Sequence, residues 1–139
     1  MRILGLDYGA KRIGVAISDP LGITAQPVAV IEKTAGFEQN IQSLTKIIDQ
    51  YGGVEEIVVG LPKRLSGKIG IAAEKVLVFV EALKKTLPLK IVTWDERLTT
   101  VQAEKNLIAA GLSRTKRKKV IDRSAATFIL RSYLDRKIK

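Results

Sequence analysis

The chain has 139 residues, 24 Lys and Arg against 14 Asp and Glu, and neither histidine nor cysteine. Its length fits one domain, and 46% hydrophobic with 27% charged residues is ordinary globular composition. The two missing residue types exclude disulfides, thiolate nucleophiles, Cys-ligated metals, Ser–His hydrolases and every reaction with imidazole as base. An enzyme of this composition draws its acid–base or metal chemistry from carboxylates, Lys, Tyr or backbone.

In chain order, residues 2–7 (RILGLD) are a short apolar run ending in an acid, and Gly9 with Lys11 and Arg12 makes a turn. Residues 13–17 (IGVAI) are a second strand, closed by Ser18, Asp19 and Pro20. Residues 23–31 form a third, and Pro27 within it predicts an edge strand, where a missing N–H is tolerated. Three strands with short turns read as an antiparallel meander. The period then changes: Phe37, Ile41, Leu44, Ile48 and Tyr51 recur at helical spacing until Gly52 and Gly53. Residues 56–60 (EIVVG) are a short buried strand, followed by a basic loop with Lys63, Arg64 and Lys68. Residues 72–87 form a second helix stopped by Pro88, and residues 90–94 (KIVTW) the last strand, ending at Asp95 and Glu96. A third helix spans 98–110, with Thr99 or Thr100 as cap and Gly111 as terminator, and a long helix spans 118–138. The order predicts an α/β fold with a mixed sheet and helices on its faces.

The net charge of +10 is uneven: residues 111–139 hold 10 basic and 2 acidic side chains. Such asymmetry points to a polyanion, either nucleic acid or an anionic membrane, or else to a solvated basic helix. Residues 113–123 (SRTKRKKVIDR) concentrate six of these charges, including Lys116, Arg117, Lys118 and Lys119, with no aromatic residue for base stacking. Contacts to backbone phosphates are the expected mode. Residues 60–70 (GLPKRLSGKIG) fail the Walker A spacing. The start MRILGLDYGAKRIG meets Asp7 and Lys11 before an apolar core of signal length, and no apolar run approaches the ~20 residues of a bilayer span. A cytoplasmic protein is expected.

Sites in open α/β sheets lie at the carboxyl ends of strands. Asp7 ends the first strand, and Asp95 and Glu96 end the last. Asp122 shares an apolar helix face with Ala125, Ala126, Ile129 and Tyr133, so it points toward the protein body. Clustered carboxylates repel one another, and a hard divalent cation resolves the conflict. Carboxylate-held Mg²⁺ is a known means of hydrolysing phosphodiesters and requires neither His nor Cys. Each acid also has a structural reading: Asp7 as a turn residue, Glu96 as a partner of Arg97, Asp122 as a helix N-terminal acid.

The run Asp7-Tyr8-Gly9-Ala10-Lys11-Arg12-Ile13-Gly14-Val15-Ala16 matches a known pattern, as do Gly60-Leu61-Pro62 and Asp95-Glu96-Arg97-Leu98-Thr99-Thr100. With Lys119, Asp122, Ala125-Ala126 and Ile129-Leu130, these motifs resemble the YqgF-type family across essentially the whole chain. Its members are regarded as Holliday junction resolvases and as nucleases that mature pre-16S ribosomal RNA. The resemblance implies a single ribonuclease H-like domain over 1–139, with a five-stranded mixed sheet in the order 3-2-1-4-5 flanked by helices. It implies that Asp7, Glu96 and Asp122 are catalytic acids binding Mg²⁺ or Mn²⁺, with Asp95 a fourth ligand or a structural acid. Arg12, Arg97, Thr100 and Lys119 would position substrate or orient the acids, and Lys11, Lys116, Arg117 and Lys118 would add phosphate contacts. In the middle loop, where many members carry Asn and Asp-Gly, this sequence has Arg64, Leu65 and Ser66-Gly67. The expected function is a metal-dependent endonuclease on structured RNA, most directly pre-16S ribosomal RNA. The alternatives are resolution of four-way DNA junctions and a non-catalytic nucleic-acid-binding or regulatory module of the same fold. The expected partner is structured RNA or branched DNA and not a membrane, and the chain is expected as a monomer or weak homodimer.

Overall fold

The computed structural model describes residues 1–62, 69–96, 108–113, 115–116 and 125–138. Its strands are β1 (Ile3–Tyr8), β2 (Arg12–Ser18), β3 (Ala25–Glu32), β4 (Glu56–Leu61) and β5 (Lys90–Asp95). The helices are α1 (Phe37–Gln50), α2 (Ile71–Thr86) and α3 (Ala125–Ile138). One sheet forms in the order β3-β2-β1-β4-β5, as expected. β1, β2 and β3 pair antiparallel as a meander, while β1–β4 and β4–β5 are parallel. Pro27 falls on the edge strand, and the β2–β3 register shifts at Val15/Ala16. That bulge adds twist to the edge.

Side-chain alternation divides the sheet into two unequal faces. Leu4, Leu6, Ile13, Ile57 and Val59 point to one side and pack against α1 and α2 in the larger core. Helix α2 brings Val76, Phe79 and Leu83 to that core, and Phe79 stacks on Tyr8 with ring centroids 4.2 Å apart. The opposite face carries Ile3, Ala16 and Val58 and receives α3 through Ala126, Ile129, Leu130 and Leu134. Small residues line this face because α3 lies very close. A Cβ on Gly5 would sit 2.7 Å from Leu130 Cβ and 3.1 Å from the Ala126 carbonyl oxygen.

The expected helix over 98–110 lies outside the described residues except for its last turn. There Gly111 takes a φ of 81° and its N–H donates to the Ile108 carbonyl at 2.9 Å, closing the helix as glycine does. Of the helix expected over 118–138, residues 118–124 lie outside the described residues, and Ala125–Ile138 is helical. Residues 115 and 116 are helical. The reason is local: Ser113 Oγ accepts the Lys116 N–H at 3.3 Å, which is the bond of an N-cap.

Candidate functional site

Asp7 stands opposite Gly14 of β2, one residue before the end of β1. It shares the α3 face of the sheet, since a Cβ on Gly14 would lie 3.6 Å from Asp7 Cβ and 3.4 Å from Ala126 Cβ. Glu96 follows directly on β5, whose Trp94 and Asp95 pair with Gly60 and Leu61 of β4. β4 therefore separates the two acids. Glu96 spans it by lying over Gly60: its Oε1 and Cγ are 2.9 and 3.0 Å from where a Gly60 Cβ would be. The Asp7 and Glu96 carboxyls are hydrogen bonded to each other.

Two carboxyls at this distance cannot both ionise freely. Burial raises the Asp7 pKa, while its bond with Glu96 works the other way. Glu96 is pushed up to about 7, first by burial, then by the Asp7 charge and hydrogen bond, then by the nearby Asp95 charge. Crowding of this kind favours a proton shared between the carboxyls, and a hard divalent cation is what such oxygen donors accept in its place. The donor chemistry thus fits Mg²⁺ or Mn²⁺. Among the described residues no group of three or more acids is placed to hold a metal. The third expected acid, Asp122, lies outside the described residues, as do Arg97, Thr100, Arg117, Lys118 and Lys119.

Lys11 and Arg12 flank the turn after Asp7, held by the Gly9 N–H donating to the Arg12 carbonyl at 2.9 Å. Both side chains are exposed, and Arg12 Nε donates to Glu32 Oε1 at 3.0 Å. An exposed pair of this kind is worth about 0–1 kcal/mol, so Arg12 is easily drawn to a phosphate. Lys116 is exposed at the start of its helix.

Several residues escape the sequence reading. Lys33 lies 4.0 Å above the Tyr8 ring, donates from Nζ to the Gly9 carbonyl at 3.0 Å, and so pins the turn that follows Asp7. At the opposite pole of the sheet, Glu56 is 2% exposed and accepts from Tyr133 Oη at 2.8 Å and Lys137 Nζ at 3.0 Å. Lys90 Nζ is 3.3 Å away. Burial alone would raise the Glu56 pKa, but these donors and the Lys137 charge together hold it below the ordinary value. The cluster ties the end of α3 to β4 and β5. An acid opening an apolar strand was the available signal.

Among the described residues no helix is long and apolar enough to cross a membrane. A family profile described as RuvX, Holliday junction resolvase, matches residues 1–136. A protein of Desulforamulus reducens, provisionally named pre-16S rRNA nuclease, is 56% identical over 135 residues, covering 97% of each chain. One of Clostridium kluyveri, with the same provisional name, is 55% identical over 136 residues and 98% of each chain. The RuvC structure of Thermus thermophilus superposes with a TM-score of 0.58 over 99% of this chain and 96% of its own, at 11% identity. That likeness concerns the fold, which is ribonuclease H-like.

Proposed function

Because the chain belongs to the RuvX family, also called YqgF, we propose that it is an endonuclease hydrolysing phosphodiester bonds in structured RNA, with pre-16S ribosomal RNA as substrate. The observation that carries this reading is the hydrogen-bonded, desolvated pair Asp7–Glu96 at the carboxyl ends of two strands of a histidine-free chain. Asp7, Glu96 and Asp122 hold the divalent cation, and Asp95 tunes Glu96 through its charge. Bound there, Mg²⁺ or Mn²⁺ supplies the acidity that makes water a nucleophile and the positive charge that a leaving oxygen needs. The chain's own part is to gather the acids on rigid strand ends and exclude bulk water from them. Lys11, Arg12 and the basic run Lys116, Arg117, Lys118 and Lys119 hold the phosphates on either side, and Arg97 and Thr100 orient the strand. The relatives' names favour RNA. The family description favours a second substrate, the four-way DNA junction, whose symmetric cutting calls for a two-fold dimer.

The test offers an extended pre-16S RNA and a four-way DNA junction to the wild type and to Asp7→Asn in Mg²⁺. The expected result is RNA cleavage by the wild type, lost on the order of a thousandfold in Asp7→Asn with binding retained. Undiminished cleavage by Asp7→Asn refutes the carboxylate mechanism, and junction cleavage alone transfers the activity to DNA.

A further inference from the structure

Beside Asp7 runs a groove of about 610 Å³, within the roughly 300–1,000 Å³ usual for sites that enclose a small ligand. One wall is residues 27–30 of the edge strand, next to the bulge; the other is residues 125–127 at the described start of α3. Asp7 and Arg12 stand at its margin. Its lining is otherwise apolar or glycine, with one further polar side chain, Thr127.

That distribution matches one unit of a polynucleotide. A phosphate seated beside Asp7, with Arg12 next to it, places the attached sugar and base within reach of this groove. Apolar walls cover the faces of the sugar and base. No aromatic side chain lines the groove among the described residues, so the base is enclosed without being stacked, and its identity is read weakly. Thr127 differs from its neighbours. It is 7% exposed and lines the groove. A hydroxyl donates and accepts, and so does a ribose 2′-hydroxyl, the group by which a protein tells RNA from DNA at a given position.

We propose that the groove between β3 and α3 receives the ribonucleotide next to the scissile phosphate, and that Thr127 selects RNA by hydrogen bonding to its 2′-hydroxyl. The assignment rests on the nuclease reading above and adds the residue that chooses the sugar. Residues 27–30 act by shape. Val30, 61% exposed on the wall, marks where the groove opens.

The experiment measures kcat/KM for one RNA substrate and for copies carrying a single 2′-deoxynucleotide on either side of the scissile bond. The wild type is expected to lose about five- to tenfold on one of the two copies, the value of one hydrogen bond between neutral groups. Thr127→Val, which keeps the shape and removes the hydroxyl, is expected to lose the same factor on the all-RNA substrate and nothing further on that copy. Thr127→Ser is expected to restore the discrimination. Val30→Trp, a change at an exposed position with no folding burden, is expected to raise KM about tenfold by filling the groove. Discrimination retained in Thr127→Val, or an unchanged KM in Val30→Trp, overturns the assignment while leaving the nuclease intact. Failure of the wild type to cleave the all-RNA substrate removes the nuclease reading and the groove assignment together.

Discussion

Gly60→Ala separates the geometry of the acid pair from the identity of the acids. Gly60 does not take a positive φ, so its backbone accepts alanine without strain. What resists is space: the new Cβ would lie 2.5 Å from Ile129 Cδ1, 2.9 Å from Glu96 Oε1 and 3.0 Å from Glu96 Cγ. Carbon atoms pack at about 3.5–4.0 Å, so the Ile129 methyl must retreat by about 1 Å and Glu96 by about 0.5 Å. Overpacking of this kind costs about 1–3 kcal/mol, a fall in melting temperature on the order of 4–12 °C. Moving a reacting group by such distances costs about ten- to a hundredfold in kcat. Adding Ile129→Val removes Cδ1 and with it one of the two conflicts. The double variant is expected to be more stable than the sum of the single changes predicts, because the two sites touch. Its kcat is expected to stay low, because Glu96 is still displaced. Melting curves and single-turnover cleavage of the same preparations read both quantities. Additive stabilities would refute the contact between Gly60 and Ile129, and a kcat restored in the double variant would refute the claim that Gly60 sets the place of Glu96.

Tyr133→Phe removes a 2.8 Å bond to the Glu56 carboxylate and should cost about 1–3 kcal/mol at neutral pH, read from urea midpoints. Glu56 has a pKa below the ordinary 4.5, so the folded protein binds fewer protons there than the unfolded chain. Its contribution is therefore complete above about pH 4.5 and fades as pH falls through the lowered value; a cost of Tyr133→Phe that grows on acidification would contradict this. Glu96 has the opposite sign. With its pKa raised to about 7, the folded protein holds a proton that the unfolded chain releases above 4.5, so stability declines across that window. In chelator, Glu96→Gln should melt several degrees above the wild type at pH 8 and level with it at pH 4, and no gain at pH 8 refutes the crowding of the acids. Changing Lys116, Arg117, Lys118 and Lys119 to Gln should weaken RNA binding for all sequences alike and lower the salt slope by about one for each lost phosphate contact, as filter binding at several salt concentrations would show.

Much of the fold is legible because each strand announces its surroundings. Residues 57–60 form an apolar run, as befits a strand covered on both faces, and β4 lies inside the sheet between β1 and β5. Pro27 marks the edge because a proline in a central strand would lose a ladder bond. Gly52 and Gly53, both at positive φ, and Pro88 stop their helices for equally local reasons. Glu56 was not legible as a site. Its partners Tyr133 and Lys137 stand 77 and 81 residues away in sequence, and no local pattern assigns them to it. The charge of an acid at a strand start looks like solvent exposure until α3 is laid across the sheet.

The meeting of Asp7 and Glu96 occupies middle ground. Asp7 stands near the end of β1 and Glu96 just past the end of β5, at the carboxyl edge where open α/β sheets carry their sites. Yet topology alone leaves β4 between the two carboxylates, and a side chain on β4 at that level would hold them apart. The same α3 face lacks side chains at Gly5, Gly14 and Gly60, alternate positions on three adjacent strands. Gly14 and Gly60 flank Asp7 at one level and Gly5 lies two residues back along β1, so the face admits a helix at close range and lets one acid reach over a strand to another. Glycine spaced in this way is costly to a strand, losing about 0.5–1 kcal/mol against alanine at each position. Three such losses have no rationale in a sheet built only to be stable. Their neighbours account for them: Gly5 yields to Ala126 and Leu130 of α3, Gly14 lies against Asp7 and Ala126, and Gly60 leaves the room in which Glu96 crosses β4.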